Sequence, residues 1–448
     1  MLLFNEQYRL VHELAETLPE TVDEDGDTCE DLALLQNWVV QRINYLQQQA
    51  RFEVAAINVT TYGASLVYIN DKHEPLTPLY NYLKPYPAHL EHNFFNTYGP
   101  ANTLCSQTAS PALASLNAGL QLYRLKHQQP DVLAQVKYAL HLPQYVAMLI
   151  HGHAAADITS IGCHTLFWHF EQNQYHAWVH AELLTQYMAP IQPGHAFALA
   201  TVGGKRIPAG FGLHDSSAAL IPYLASMEQP FALLSTGTWC ITLNPFNSYP
   251  LTEQQLAQDC LCYLSWQGTS VKASRLFAGF EHQQQCKRIA AFYGIDEQIL
   301  YTVAYNDNWP LEAGQPENGK GVSGAYKWAP ASAFAERSLS SFVNAEHAYH
   351  QLIFDLVITQ VASSLLVLQH TAVENLYVDG GFSHNEIYMQ MLANALPGYK
   401  VYAANVAQAT ALGAALALHQ HWNKSSIPLQ LITTTLYNPK EKLPAINC

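Results

Sequence analysis

Two apolar runs that each break at glycine constrain most strongly what this chain can fold into. FALLSTGTWCITL (231–243) passes from apolar residues into Ser235-Thr236-Gly237-Thr238 and back, which predicts strand, glycine turn, strand. NLYVDGG (375–381) predicts a strand ending on Gly380 and Gly381, followed by a helix over 385–396. Between them lies the longest helical pattern, 346–370, with Ala348, Leu352, Leu356, Val361, Leu365 and Leu368 spaced as one face. The strand YKVYAA (399–404) and a small-residue helix, 409–420, complete this half. A further helix is predicted over 283–293, and 305–335 reads as an exposed loop or lid.

The first half repeats the alternation more loosely. Short strands are predicted at 2–4 and 8–14, an acidic loop at 19–30, and a helix over 31–50. VAAINVT (54–60) and Leu66–Ile69 read as strands, and 105–125, 131–150 and 166–190 as helical. A second organisation begins near 205, where GLHDSSAAL (212–220) predicts a strand, a polar turn and a helix start. Two such halves imply two α/β domains with a cleft between them. The length, 448 residues, allows two large domains or three ordinary ones.

Composition narrows the function classes. Hydrophobic residues make up 49%, enough for large cores. Only 12% of residues are charged and the net charge is −14, so no basic stripe exists to neutralise a nucleic acid. A small anion is not excluded, because a loop and a helix N-terminus hold one without net positive charge. The eight cysteines are scattered without a zinc spacing, and the 21 histidines show no HExxH pattern, so no metal site is predicted. The N-terminus lacks a signal-peptide pattern and no long apolar run predicts a membrane span, which makes the cytoplasm the expected location.

Three segments carry candidate chemistry. Gly237, flanked by Ser235, Thr236 and Thr238, lets a backbone come close to a ligand and offers N–H groups to phosphate oxygens; a plain hairpin turn is the structural alternative. Gly380 and Gly381 permit flat contact with a ring or a phosphate, and Ser383 or Asn385 can cap the following helix. Asp215, after a strand and before a helix, suits a general base facing a cleft, or serves simply as a helix cap; His214 suits a sugar hydroxyl or a packed core. Neither a G-x-G-x-x-G fingerprint nor a P-loop occurs in these segments.

The order of these segments resembles the C-terminal half of the FGGY carbohydrate kinases, which belong to the actin-like ATPase superfold. INVTTYGASLVYIND (57–71), LPQYVAMLIHGHAAADITSIGCHTLFW (142–168) and the helix AQATALGAALALH (407–419) are similar to further parts of that family. The resemblance implies two ribonuclease-H-like α/β domains, 1–205 for sugar and 206–448 for ATP, around a central cleft. It implies Asp215 as the base, Thr61, Tyr62, Gly63 and His214 as sugar contacts, and Ser235, Thr236, Gly237, Thr238, Gly380, Gly381 and Asn385 at ATP, with Mg²⁺ as the accompanying ion. The His-Asp pair, Thr61-Tyr62-Gly63 and the Arg-Leu-Phe segment at 275 look most like the rhamnulokinase and fuculokinase branch, whose acceptors are 6-deoxy-ketohexoses. Tyr80-Asn81-Tyr82-Leu83-Lys84 departs from that branch, which leaves another ketose or a pentulose open, and Gln408 stands where the family often has Glu, which leaves the final-helix contact open. The implied partners are a small sugar and ATP, with no nucleic acid and no membrane, and a homodimer is compatible with the resemblance.

Actin-like kinases open on a strand and an Asp-x-Gly-Thr-type turn, and no such turn lies near the start of this sequence. Met1–Phe4 resembles the second strand, so the N-terminal domain is expected to lack its first strand, with the true start upstream. A chain without that turn is expected to transfer phosphoryl groups poorly. The rival readings are a sugar-binding sensor on the same fold and a hydrolytic ATPase of the chaperone class.

Overall fold

The structure, a computed structural model, describes all residues except 50, 314–331, 407, 429 and 441–448. Most of the expected loop or lid at 305–335 therefore lies outside the described residues.

The second half is built on a seven-stranded sheet. Its spatial order is Cys260–Leu264, Ser270–Leu276, Cys240–Asn244, Phe231–Thr236, Asn375–Gly380, Lys400–Asn405 and Thr433–Tyr437. The three strands Phe231–Thr236, Asn375–Gly380 and Lys400–Asn405 are parallel, and the others pair antiparallel. Side chains alternate across the sheet. Ala232 and Leu234 enter one core with helices Ala345–Leu368 and Glu386–Ala395, whereas Phe231 and Leu233 enter another with Leu220 and Tyr223 of helix Asp215–Ser226. Burial on both faces explains why this strand reads as an unbroken apolar run rather than an alternating one.

Helix Ala345–Leu368 is long and apolar enough to cross a membrane, but 72% of its most apolar window is buried inside the protein. Its polar side chains are paired there. Asp355 receives a two-pronged contact from Arg337, at 2.6 and 3.0 Å, and Ser364 shares hydrogen bonds with Thr242 and Gln360. This is the pattern of a core helix crossing a sheet.

Among the described residues the first half holds only two-stranded pairings, around a core drawn from 32–189 and Leu264. Here the structure corrects several expectations. The acidic stretch 19–30 is a hairpin, Glu20–Val22 with Thr28–Glu30. Asp23 Oδ1 accepts the N–H groups of Asp25 and Asp27, and the buried Lys84 ammonium sits among the three carboxylates, so the loop's negative charge is partly offset locally. Residues 131–150 are not one helix. Strand Tyr138–His141 runs directly into helix Leu142–His151, with Pro143 tolerated in its first turn. The 105–125 pattern breaks at 108–117, where Asn117 bonds Ser110, Pro111 and His164.

Residues 166–190 are not one helix: they hold the two short strands Trp168–His169 and Gln174–Tyr175, the short helix Ala177–Ala181 and a 3-10 turn, Leu184–Tyr187. Of 54–60, only the end is a strand, Thr60–Thr61. The hairpin Cys260–Leu264/Ser270–Leu276 and strand Thr433–Tyr437 went unpredicted. Hairpin Phe197–Gly210 spans the expected boundary at 205/206 and packs Ile207 and Ala209 against Ile43, Val54 and Ile150 of the first half. The seven described cysteines are buried and none forms a disulfide.

Candidate active site

One parallel strand pair brings the two predicted sugar-contact segments together. Thr60–Thr61 pairs with Leu213–His214 in the register Thr60↔Leu213 and Thr61↔His214. Thr61-Tyr62-Gly63 and His214-Asp215 therefore leave the same pair of strands side by side. A Cβ at Gly63 would stand 2.7 Å from His214 Cδ2 and 3.3 Å from Ser160 Oγ, so glycine is what permits this approach. Tyr62 meets Tyr82 edge-on with ring centroids 5.4 Å apart. Burial, with the Glu30 carboxylate nearby, pushes the Tyr62 phenol above its ordinary range and keeps it a hydrogen-bond donor.

Asp215 opens helix Asp215–Ser226. Its Oδ1 accepts the Ser216 N–H at 2.6 Å and lies 3.3 Å from Ser216 Oγ. Oδ2 makes no hydrogen bond among the described residues, and the side chain is 41% exposed. The cap and an outward carboxylate oxygen thus coexist on one residue. His214 is buried, its Nδ1 accepts the Ser216 N–H at 3.2 Å, and burial lowers its pKa while Asp215 opposes. A neutral ring with Nδ1 accepting carries its proton on Nε2.

Behind His214 runs a link that the sequence did not reveal. Thr159 Oγ1 accepts the His214 N–H at 2.9 Å and donates to Asp157, whose carboxylate also accepts the Thr159 N–H at 2.8 Å. Burial pushes the Asp157 carboxyl up to about 6, and these hydrogen bonds pull the other way. Thr159→Val leaves the buried His214 N–H unpaired, at a cost of about 1–3 kcal/mol, and Thr159→Ser restores the bond. Denaturant unfolding of both variants is expected to show the loss in Val and its recovery in Ser.

Tyr263, His164 and Arg275 surround this end. The His214 ring lies 6.2 Å from Tyr263 and 6.1 Å from His164. Arg275 donates to Asp259 at 2.6 Å and lies 5.3 Å from the Trp239 ring centroid, while its charge acts on Tyr263 and His164. Arg275 therefore joins the His214 surroundings to the glycine turn at 237. A separate recess lined by Tyr80, Lys84, Gln121, Arg124 and Gln129 contains none of the predicted site residues.

A second parallel pair unites the two glycine turns. Ser235 stands opposite Asp379, and Thr236 opposite Gly380. Thr236 Oγ1 donates to Asp379 O and accepts the Phe382 N–H at 3.0 Å, which pins one turn to the other. Gly380 has φ +80°, and a Cβ there would come within 1.9 Å of Thr236 O. Gly237 is different: a Cβ there would meet nothing nearer than 3.8 Å. Gly237, Thr238, Gly380 and Gly381 are exposed, so their backbone lies open to a ligand at adjoining strand ends.

Asn385 caps helix Glu386–Ala395 through the Tyr388 N–H and donates to Tyr349 OH at 2.8 Å, so both ends of its amide are engaged. Asp379 Oδ2 accepts from Tyr223 OH at 3.0 Å. Tyr223 lies on the helix that Asp215 opens, two turns and about 12 Å further along its axis. That helix thus spans from the candidate base to the glycine turns. Gln408, at φ +56°, precedes helix Ala409–Ala417, which packs so closely that a Cβ at Gly413 would meet Ala218 O at 1.8 Å.

Residues 228–426 match the carbohydrate kinase FGGY, C-terminal domain. No curated protein matches the chain. Three similar solved structures are a carbohydrate kinase from Novosphingobium aromaticivorans, a ligand-bound xylulose kinase from Lactobacillus acidophilus and a Plasmodium falciparum glycerol kinase with ADP. Their identities are 19%, 15% and 13%, with TM-scores of 0.75, 0.76 and 0.74. Each comparison covers 98% of this chain, and 93%, 91% and 91% of the other. The fold is that of the FGGY kinases, an α/β architecture consistent with the two-domain actin-like ATPases. FGGY carbohydrate kinases are phosphotransferases with alcohol acceptors that use ATP. The comparisons do not show the rhamnulokinase and fuculokinase branch that the sequence suggested.

Proposed function

We propose that this chain transfers the γ-phosphoryl group of ATP to a hydroxyl of a ketose. The observation that carries this reading is the double parallel pairing. It sets Thr61, Tyr62 and Gly63 beside His214 and Asp215, and Gly237 beside Gly380 and Gly381. One helix joins the two places. Candidate acceptors are 6-deoxy-ketohexoses such as L-rhamnulose or L-fuculose, and pentuloses, since a xylulose kinase is among the similar structures.

On this reading Thr61, Tyr62, Gly63 and His214 hold the sugar, and Asp215 Oδ2 takes the acceptor proton. The sugar O–H bond breaks as the oxygen bonds to the γ-phosphorus, and the bond to ADP breaks on the opposite side. The exposed backbone of Thr238, Gly380 and Gly381, with Ser235 and Asn385 beside it, cradles the nucleotide. Gly237, whose N–H is held by Trp239 O at 2.8 Å, contributes the close approach, and the buried Thr236 braces the turn. Asp379, oriented at the strand end by Tyr223 and Ser235, would hold Mg²⁺ through water on the lone pairs those donors leave free. The units 1–205 and 206–448 would close around the substrates and exclude water. The buried thiols support a reducing compartment, the cytoplasm.

Gly237→Val separates binding from folding. Its side chain would enter open space, so unfolding is expected to change little while ATP affinity falls at least about tenfold, from the loss of roughly 1.4 kcal/mol or more. Titration calorimetry with ATP checks this; unchanged affinity removes the turn from the nucleotide site. Sugar binding without any ATP binding by the parent chain would favour a sensor instead.

A further inference from the structure

The sequence shows no metal motif, yet the fold assembles a set of ligands from separated segments. Cys163, His164 and His214 each bring one ligand atom within 4.8 Å of the others, and all three residues are buried. The Thr159–His214 hydrogen bond docks the segment carrying Cys163 and His164 against the strand end carrying His214. Consecutive side chains in extended chain point apart. At His164 the backbone turns left-handed, φ +42°, and its ring meets that of His214 with the planes at 82°.

Each imidazole already has a partner behind it. His164 Nδ1 lies 3.3 Å from Leu116 O, and His214 Nδ1, which accepts the Ser216 N–H, also lies 3.2 Å from Asp215 Oδ1 and can donate to it once the ring proton moves there. A carbonyl or carboxylate in that position orients metal-bound histidines and leaves Nε2 for the ion. Neither Nε2 atom nor the Cys163 thiol makes a hydrogen bond among the described residues.

We propose that Cys163, His164 and His214 form a binding site for a thiophilic divalent cation of the Zn²⁺ type, beside Asp215. One thiolate and two imidazoles make three corners of a tetrahedron, and water takes the fourth. Zinc bonds of about 2.0–2.3 Å put ligand atoms roughly 3.3–3.8 Å apart, within reach of the observed cluster by small side-chain rotations. The charges balance: the ion and Arg275 bring three positive charges, and the Cys163 thiolate, Asp215 and Asp259 bring three negative ones. On binding, the Cys163 proton leaves to solvent. The His214 proton moves to Nδ1 and is held by Asp215 Oδ1, which keeps its 2.6 Å contact with the Ser216 N–H.

An ion in this site occupies the His214 ring that the sugar needs and ties Asp215 to it through Oδ1, so Zn²⁺ is expected to compete with the sugar. That consequence rests on the kinase reading; the binding itself does not. The test is a Co²⁺ titration of the 1–448 chain followed by absorbance, with Zn²⁺ as the displacing ion. The expected result is one equivalent of Co²⁺, with a thiolate-to-cobalt charge-transfer band that Zn²⁺ removes. Cys163→Ala is expected to lose the band, and His164→Asn to keep it while binding at least tenfold more weakly. Absence of stoichiometric binding, or a band that survives in Cys163→Ala, overturns the proposal. If Cys163→Ala fails to fold, wild-type affinity in a folded His164→Asn overturns it equally. Zinc binding without sugar competition leaves the metal site standing and counts against His214 as a sugar contact alone.

Discussion

Asp215→Asn is expected to reduce sugar-dependent ADP release by at least about a hundredfold, the usual scale for losing a positioned general base. The substitution isolates that role. An asparagine Oδ1 still accepts the Ser216 N–H, so the helix start stays capped and the fold stays intact. Only the outward oxygen loses its ability to take a proton. Thermal unfolding should therefore match the parent chain while turnover collapses, and ATP and sugar affinities should change little. Turnover within a fewfold of the parent would remove Asp215 from the reaction and leave it a helix cap.

Gly380→Ala is expected to have the largest effect on stability. The residue sits at φ 80° and ψ −154°, backbone that is essentially confined to glycine. The new Cβ would also stand 1.9 Å from Thr236 O, a backbone atom in the paired strand. Relief requires the strands to part, which breaks the Thr236 contacts to Asp379 and Phe382. Together these costs exceed about 4 kcal/mol, in the range reserved for severe lesions. Gly381→Ala is the control, because its Cβ would meet nothing nearer than 4.0 Å. Calorimetric unfolding should show Gly380→Ala lowered by roughly 8–16 °C and Gly381→Ala almost unchanged. Equal stability of the two variants would contradict the close packing of these turns.

What the sequence revealed follows from where the physics is local. Phe231–Thr236 is buried on both faces and runs into Gly237, and Asn375–Gly380 is buried on one face, largely covered on the other, and ends on glycine, so apolar runs and turn residues mark them directly. Helix Ala345–Leu368 declares itself by length and spacing. Tyr138–His141 was missed because its apolar residues continue without a break into helix Leu142–His151. The hairpin at 260–276 was missed because CLCYL is wholly buried and lacks alternation.

At the candidate site, Asp215 and Gly237 could be picked out by their positions after strands. The Asp157–Thr159–His214 link could not, since it joins segments 55 residues apart through one hydroxyl. The Asp-x-Thr at 157–159 was its faint signal. Arg275 entered only through resemblance; its link to Trp239 and the His214 surroundings depends on the hairpin that the sequence hid.

The most direct test of the central claim is product analysis. The 1–448 chain is incubated with Mg²⁺-ATP and a panel of ketoses, and phosphorylated sugar is sought by mass spectrometry. The expected result is a phosphosugar from at least one ketose, formed in step with ADP and absent with Asp215→Asn. ATP and sugar both bound, with no phosphosugar from any ketose, would contradict it.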